Sequence, residues 1–261
     1  MDGILVERDG GVVWVTLNRP HKKNALTVGM VDELIGVLAE VEGRAEDRAL
    51  VLTGAGGDFS SGADLTDQGT VARLAGPAST VATMRRMHGL PLAVHRLSKP
   101  VVAAVAGVAV GAGCNLALAC DLVLAAADAR FGEVFVRRGL ALDFGGSWLL
   151  PRLVGLQRAK ELAFLGEMVD AARAEAIGLV NRVVAPDELE GAARELAARL
   201  AAGPPVALAA MKQGMHQALS LSMAEALEVE AMAQTVCGST ADMAEAMQAF
   251  VERREPRFQG H

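Results

Sequence analysis

Tyrosine is absent from this chain, and aromatic residues make up only 3% of its 261 residues. So few rings exclude a base-stacking platform of the kind that binds single-stranded nucleic acid. Basic residues are also outnumbered: 25 Lys and Arg stand against 31 Asp and Glu, a net charge of -6 with no dense basic stretch. That balance argues against a nucleic-acid partner. Cysteine is scarce. Cys114, Cys120 and Cys237 make no disulfide framework, and the first two lie in a very apolar stretch, where small hydrophobic filler is the expected role. Neither CxxC nor HExxH occurs, so no metal site is expected. An apolar leader is missing too. The first nine residues include Asp2, Glu7, Arg8 and Asp9, so no secretory signal is expected and the default location is cytoplasmic.

What remains is a composition of 52% hydrophobic and 21% charged residues, that of a globular protein with a large core. One uncharged run, Val101 to Cys120, is long enough to cross a bilayer. Gly107, Gly111, Gly113 and Asn115 interrupt it, and Pro100 and Asp121 bracket it, so it reads as a buried strand, a tight turn and a buried helix. No membrane partner is expected.

The first part of the chain alternates strand and helix signals, an α/β pattern. Gly11 to Leu17 is β-rich and ends at Asn18-Arg19-Pro20, a turn signal. Val31, Leu34, Ile35, Leu38 and Val41 follow at helical spacing, with Gly43 placed to end that helix. Further strands are expected at Ala49 to Thr53, Val101 to Ala106, Leu122 to Ala125 and Val180 to Val184, and a helix at Ser79 to Leu97. Beyond Pro186 the sequence turns helical. Asp187 to Leu200 reads as a helix stopped by Gly203-Pro204-Pro205, Ser222-Met223-Ala224-Glu225 fits a capping box, and Ser239 to Asp242 opens a last helix. Met211, Met215, Met223, Met232, Met243 and Met247 in these helices are expected in the core or at a subunit interface.

The glycine loops come first among candidate sites. Neither Gly54-Ala55-Gly56-Gly57 nor Gly111-Ala112-Gly113 completes a dinucleotide fingerprint or a P-loop. The strand-turn-helix reading around Gly107 to Gly113 instead offers unpartnered N–H groups approachable through small residues, a seat for an oxyanion. From spacing alone, close packing of helix on sheet is the better explanation of the same glycines. A second loop, Phe59 to Leu65, follows a strand in the same way, and spacing does not decide whether the two converge.

Several segments together resemble the enoyl-CoA hydratase/isomerase (crotonase) family: Arg19 to Leu26, Leu52-Thr53-Gly54, Phe59 to Leu65, Lys99 to Gly107, Ala119 to Leu122, Ala129 to Gly132, and the ending Ala249 to Gly260. The resemblance covers nearly the whole chain in order. It implies a ββα spiral core (residues 1–195), a helical trimerisation region (196–261), and a homotrimer or a hexamer made of two. It implies an acyl-CoA thioester substrate, with no cofactor beyond the coenzyme A that the substrate carries. By motif position it implies an oxyanion hole from the backbone N–H groups of Ala63 and Ala112, the latter where the family usually has Gly.

The same resemblance frames the acid/base groups. The two glutamates of the family's hydratases would fall at Asn115 and Phe135, neither of which exchanges protons usefully near neutral pH. Glu133, two residues away, is expected to be a solvated or ion-paired loop carboxylate aimed elsewhere. Gly139 to Trp148 resembles the GLxPDxGGxxxLPR segment of family members that use a single Asp base, and Asp143 holds that place. Its apolar neighbours Leu142, Phe144 and Trp148 would raise its pKa and make it a better base. Helix capping is the competing role. The resemblance extends substrate or coenzyme A contacts to Lys22, Ala25, Ser61, Asp64, Leu65, Asn115, Phe135, Leu140, Trp148 and Phe250. Lys23, Arg253 and Arg254 could meet phosphates or be solvated surface charge, and His95 is more simply a structural histidine than a substrate contact. The first functional reading is an enoyl-CoA isomerase working through Asp143. A hydratase with atypical acid/base groups and a non-catalytic acyl-CoA binder are the alternatives.

Overall fold

The structure is a computed structural model and describes residues 3–67 and 77–261. Its main sheet has six strands in the order β1 (Ile4–Asp9), β2 (Val12–Leu17), β3 (Ala49–Gly54), β4 (Val101–Val105), β6 (Leu122–Ala126) and β9 (Arg182–Val184). Only β1 and β2 pair antiparallel; every later neighbour in this sheet is parallel. A smaller sheet joins β5 (Val108–Val110), β7 (Arg130–Gly132) and β8 (Met168–Asp170). Successive strands β4, β5 and β6, β7 therefore alternate between the two sheets, the ββα winding that the family resemblance implies.

The central strands read as continuous apolar runs because both faces are covered. Leu50, Leu52, Val101, Ala103, Val105, Val123 and Ala125 pack toward α1 (Val28–Gly43), α3 (Gly89–Arg96) and α4 (Ala112–Leu118). Their strand neighbours Val51, Val102, Ala104, Leu124 and Ala126 face the other way, onto Leu189, Ala193 and Ala197 of α8 (Leu189–Ala201). That helix runs through residue 195 and belongs to the sheet's second layer along its whole length.

In chain order, α5 (Gly146–Val154), α6 (Leu156–Leu165) and α7 (Ala171–Ala176) fall between β7 and α8. The chain ends in α9 (Pro205–Ala218), α10 (Met223–Gly238) and α11 (Ala241–Glu252). Ser222 and Glu225 form the expected capping box, and Thr240 caps α11 by accepting from Met243 N–H. Lys212 anchors α9 to the core: its ammonium meets Asp121 at 2.8 Å and is largely buried.

Three expectations need correction. The stretch from Ser79 to Leu97 is two helices, α2 (Pro77–Met87) and α3, parted at His88. The turn after β4 contains the short strand β5, because its alternating Val108-Ala109-Val110 pairs with β7. Of the two places expected for the six methionines, the core is excluded, since Met215, Met223 and Met232 are 66%, 80% and 72% exposed, and the subunit interface remains. Among the described residues no helix is long and apolar enough to cross a membrane; the Val101 to Cys120 run is β4, β5 and α4.

Candidate active site

The two glycine-rich loops converge. Ser60 N–H donates to Val108 O and Val110 N–H donates to Ser60 O, each at 2.9 Å, so the loop after β3 lies alongside β5. Gly62 (φ +94°) sits where a Cβ would meet Val110 O at 2.7 Å and approach Ala112 N to 3.6 Å. Gly113 lies as tightly on Ser60, with no room for a side chain. The positive φ and the close approaches explain why small residues are required at both places. Ala63 follows Gly62, and Ala112 is the first residue of α4. Gly111 (φ +55°) takes the strained conformation, so Ala112 needs no glycine. Among the described residues neither amide has an acceptor within the chain. Two free N–H donors thus lie on adjoining turns.

A polar frame holds the first loop in place. Arg19 donates to Ala25 O at 2.7 Å and to Asp64 Oδ2 at 3.0 Å. The fully buried Asn24 donates to Ala55 O and Asp58 O, and Ser60 Oγ donates to Asn24 O. Asp64 also accepts from the N–H and hydroxyl of Thr66. Burial pushes its carboxyl up, but the Thr66 and Arg19 donors outweigh it and hold the pKa at about 2. Asp64 is therefore committed to the loop and is not free to meet a substrate. Ala25 is buried under the same loop, and Ser61 Oγ donates to Lys22 O. Lys22 reaches Thr66 Oγ1 at 3.5 Å, and Leu65 is 47% exposed. Lys23 is paired with Asp58.

Across the turn lies a cluster of polar groups in an apolar wall. Asn115, on α4 and fully buried, uses both amide protons: Nδ2 donates to Glu133 Oε2 at 3.2 Å and to Asp143 O at 3.0 Å. Glu133 is only 3% exposed. This overturns its expected place as a solvated loop carboxylate. Residues two apart in an extended segment share a side, and Glu133 follows the buried Phe131 inward. Burial raises its pKa to about 7, against the pull of the Cys114 thiol and the Asn115 amide; the nearby charge of Asp143 adds to the rise. Burial likewise lifts Asp143 to about 6. Three acceptor atoms in this cluster, Asn115 Oδ1, Glu133 Oε1 and Asp143 Oδ1, are buried without a hydrogen-bond partner among the described residues.

The remaining predicted residues surround this cluster unevenly. The Phe135 ring lies 3.6–3.9 Å from the position of a Cβ on Gly111, beside the Ala112 amide. Trp148, on α5, takes the edge of His95 at 5.1 Å and the guanidinium of Arg152 at 4.1 Å. His95 stacks on His216 of α9 at 3.7 Å, the structural role expected of it. Leu140 is 52% exposed on the loop before Asp143. Phe250 is 78% exposed on α11, and nothing among the described residues brings it to the turn pair. Arg254 is engaged by Glu245 and Glu252.

The chain is similar to known proteins over nearly its whole length. The family profile described as enoyl-CoA hydratase/isomerase matches residues 7–261. The short-chain-enoyl-CoA hydratase of Clostridium acetobutylicum is 38% identical over 256 residues, covering 98% of this chain and 97% of its own. The 1,2-epoxyphenylacetyl-CoA isomerase of Escherichia coli is 38% identical over 260 residues, covering 100% and 99%. The crystal structure of an enoyl-CoA hydratase from Bacillus anthracis superposes with a TM-score of 0.94 at 32% identity, covering 99% of this chain and 100% of that one. With its spiral core matched in fold and its sequence matched from end to end, the chain belongs to the enoyl-CoA hydratase/isomerase family.

Proposed function

We propose that this protein is an enoyl-CoA isomerase that shifts a double bond in an acyl-CoA thioester through an enolate. The observation that carries this reading is Asp143: a half-buried carboxyl with its pKa raised to about 6, in a chain that has Asn115 and Phe135 where hydration would call for two glutamates. In this reading the thioester oxygen accepts hydrogen bonds from the Ala63 and Ala112 N–H groups. Asp143 removes a proton next to the carbonyl or at the vinylogous carbon. The C–H electron pair moves into the conjugated system, and negative charge collects on the thioester oxygen. The protonated Asp143 then returns its proton two carbons away and is a carboxylate again. No redox step occurs. Loss of one such amide donor costs about 2.7–4 kcal/mol of barrier, so both turns matter as much as the base. Lys22, Ala25, Leu65, Leu140, Phe135 and Trp148 belong to the thioester and acyl contacts, with Phe250 reaching a neighbouring subunit. The exposed apolar side chains of α9 to α11, Met215, Met223, Met232, Phe250 and Val251, support assembly into a trimer or a pair of trimers.

Hydration is the second reading, and one observation favours it: the buried Glu133 supplies a second carboxyl beside Asn115. Incubation with 2-enoyl-CoA and 3-enoyl-CoA thioesters in deuterated water, read by mass spectrometry, separates the possibilities. Double-bond migration with deuterium at the α or γ carbon supports the isomerase. Accumulating 3-hydroxyacyl-CoA moves the assignment to hydration, and binding without either product leaves an acyl-CoA binder.

A further inference from the structure

The proposed base does not stand alone. Glu133 is buried, carries no ion pair among the described residues, and is joined to the Asp143 loop only through Asn115. Both protons of the Asn115 amide are engaged, and Gly146 packs so closely on that amide that a Cβ there would lie 2.5 Å from Nδ2. The bridge is therefore fixed in one orientation. The unpartnered atoms around it, Asn115 Oδ1, Glu133 Oε1 and Asp143 Oδ1, are all acceptors. Buried acceptors that have no donor beyond the Asn115 amide and the weak Cys114 thiol among the described residues are costly, and two ionised carboxylates in one apolar wall are costlier still. A proton on one carboxyl relieves both costs: it supplies a hydroxyl donor and leaves a single charge.

We propose that Glu133 is a positioning residue for Asp143, holding a proton while Asp143 is the charged base and orienting the Asp143 loop through the Asn115 amide. This rests on Asp143 being the base. It leaves the resting site with one negative charge, so the enolate forms beside one carboxyl that has just been neutralised and another that was neutral already. The groups facing the Glu133 carboxyl are the Cys114 thiol and Asn115 amide of α4 and the Asp143 carboxylate. Burial drives the thiol's pKa well up, so it stays uncharged. Gly166 and Met168 close the far side of the segment without an ionisable side chain, and Arg137 and Arg138 on the following turn are exposed. Among the described residues no cation is on hand to stabilise a second charge. Glu133, only 3% exposed where Asp143 is half-buried, is the more deeply desolvated of the two carboxyls and the one that keeps its proton to higher pH.

The test is an infrared titration of the free protein with carboxyl-labelled glutamate, from about pH 5 to about pH 9, alongside pH profiles of kcat/KM. The expected result is a protonated-glutamate band that persists past the ionisation of Asp143 and is missing from Glu133→Gln. Asn115→Ala, which removes the amide donor to Oε2, should carry the same titration to higher pH. The wild-type kcat/KM profile should show two inflections and Glu133→Gln only the lower one, a change that a purely structural glutamate would not produce. No protonated-glutamate band above about pH 5, or an upper inflection that survives Glu133→Gln, overturns the proposal. The infrared arm needs no turnover. A band without isomerisation would thus reject the isomerase reading while leaving the protonated Glu133 established.

Discussion

Replacing Glu133 by Gln should make the protein more stable, and only at neutral to alkaline pH. Glu133 ionises near pH 4.5 in an unfolded chain and near pH 7 in the folded one. The folded state therefore holds its proton more tightly. The stability this carboxyl contributes is greatest below pH 4.5, is lost as the pH rises through 7, and is gone above it. The displacement from 4.5 to about 7 corresponds to about 3 kcal/mol at about 1.4 kcal/mol per pH unit. The amide of Gln keeps an oxygen for Asn115 and carries no charge to bury. At pH 8.5 or so the variant should be up to about 3 kcal/mol more stable, or about 6–12 °C in melting temperature for a chain of this size. At about pH 4.5 the two proteins should melt together. Urea or thermal unfolding across this range measures it. A difference that does not depend on pH, or a variant less stable than wild type at alkaline pH, would refute the claim that Glu133 is a buried carboxyl carried at a cost.

Other perturbations test the rest of the site. Asp143→Asn should lower isomerase turnover by about 10²–10⁴-fold while leaving acyl-CoA affinity nearly unchanged, measured by turnover and calorimetry together. Gly62→Ala places a methyl 2.7 Å from Val110 O at a φ of +94°, so kcat should fall by about 10²–10³-fold as the two amides are pushed apart, with a far smaller change in KM. Asp64, whose pKa is depressed from 3.8 to about 2, contributes stability above pH 3.8 that fades as the pH drops through 2. Asp64→Asn should thus cost about 2 kcal/mol at neutral pH, with the gap narrowing in acid; an unchanged urea midpoint at pH 7 would count against the loop frame. Lys212→Ala should destabilise by about 3 kcal/mol by stranding Asp121, and Lys212→Met with Asp121→Leu should recover much of it.

The sequence determined by itself what local physics determines. Apolar runs buried on both faces mark β3, β4 and β6 because parallel strands lack a solvated side. The Ser222 capping box and the Thr240 cap are legible because each needs only neighbours in the chain. Strand β1 escaped notice: it is an edge strand whose Glu7, Arg8 and Asp9 hide the pattern, and only pairing with β2 makes it a strand. Likewise β5 exists because β7, twenty residues later, supplies its partner. The family resemblance named Ala63 and Ala112, but the chain alone did not say that their turns meet. That depends on Gly62 lying against Val110 and Gly113 against Ser60, contacts between segments about fifty residues apart. Glu133 makes the same point. Spacing put it off the expected positions, and its charge suggested solvent. Only the tertiary structure buries it on the Asn115 amide beside Asp143, because a side chain's dielectric surroundings are set by what folds over it and not by its neighbours in sequence.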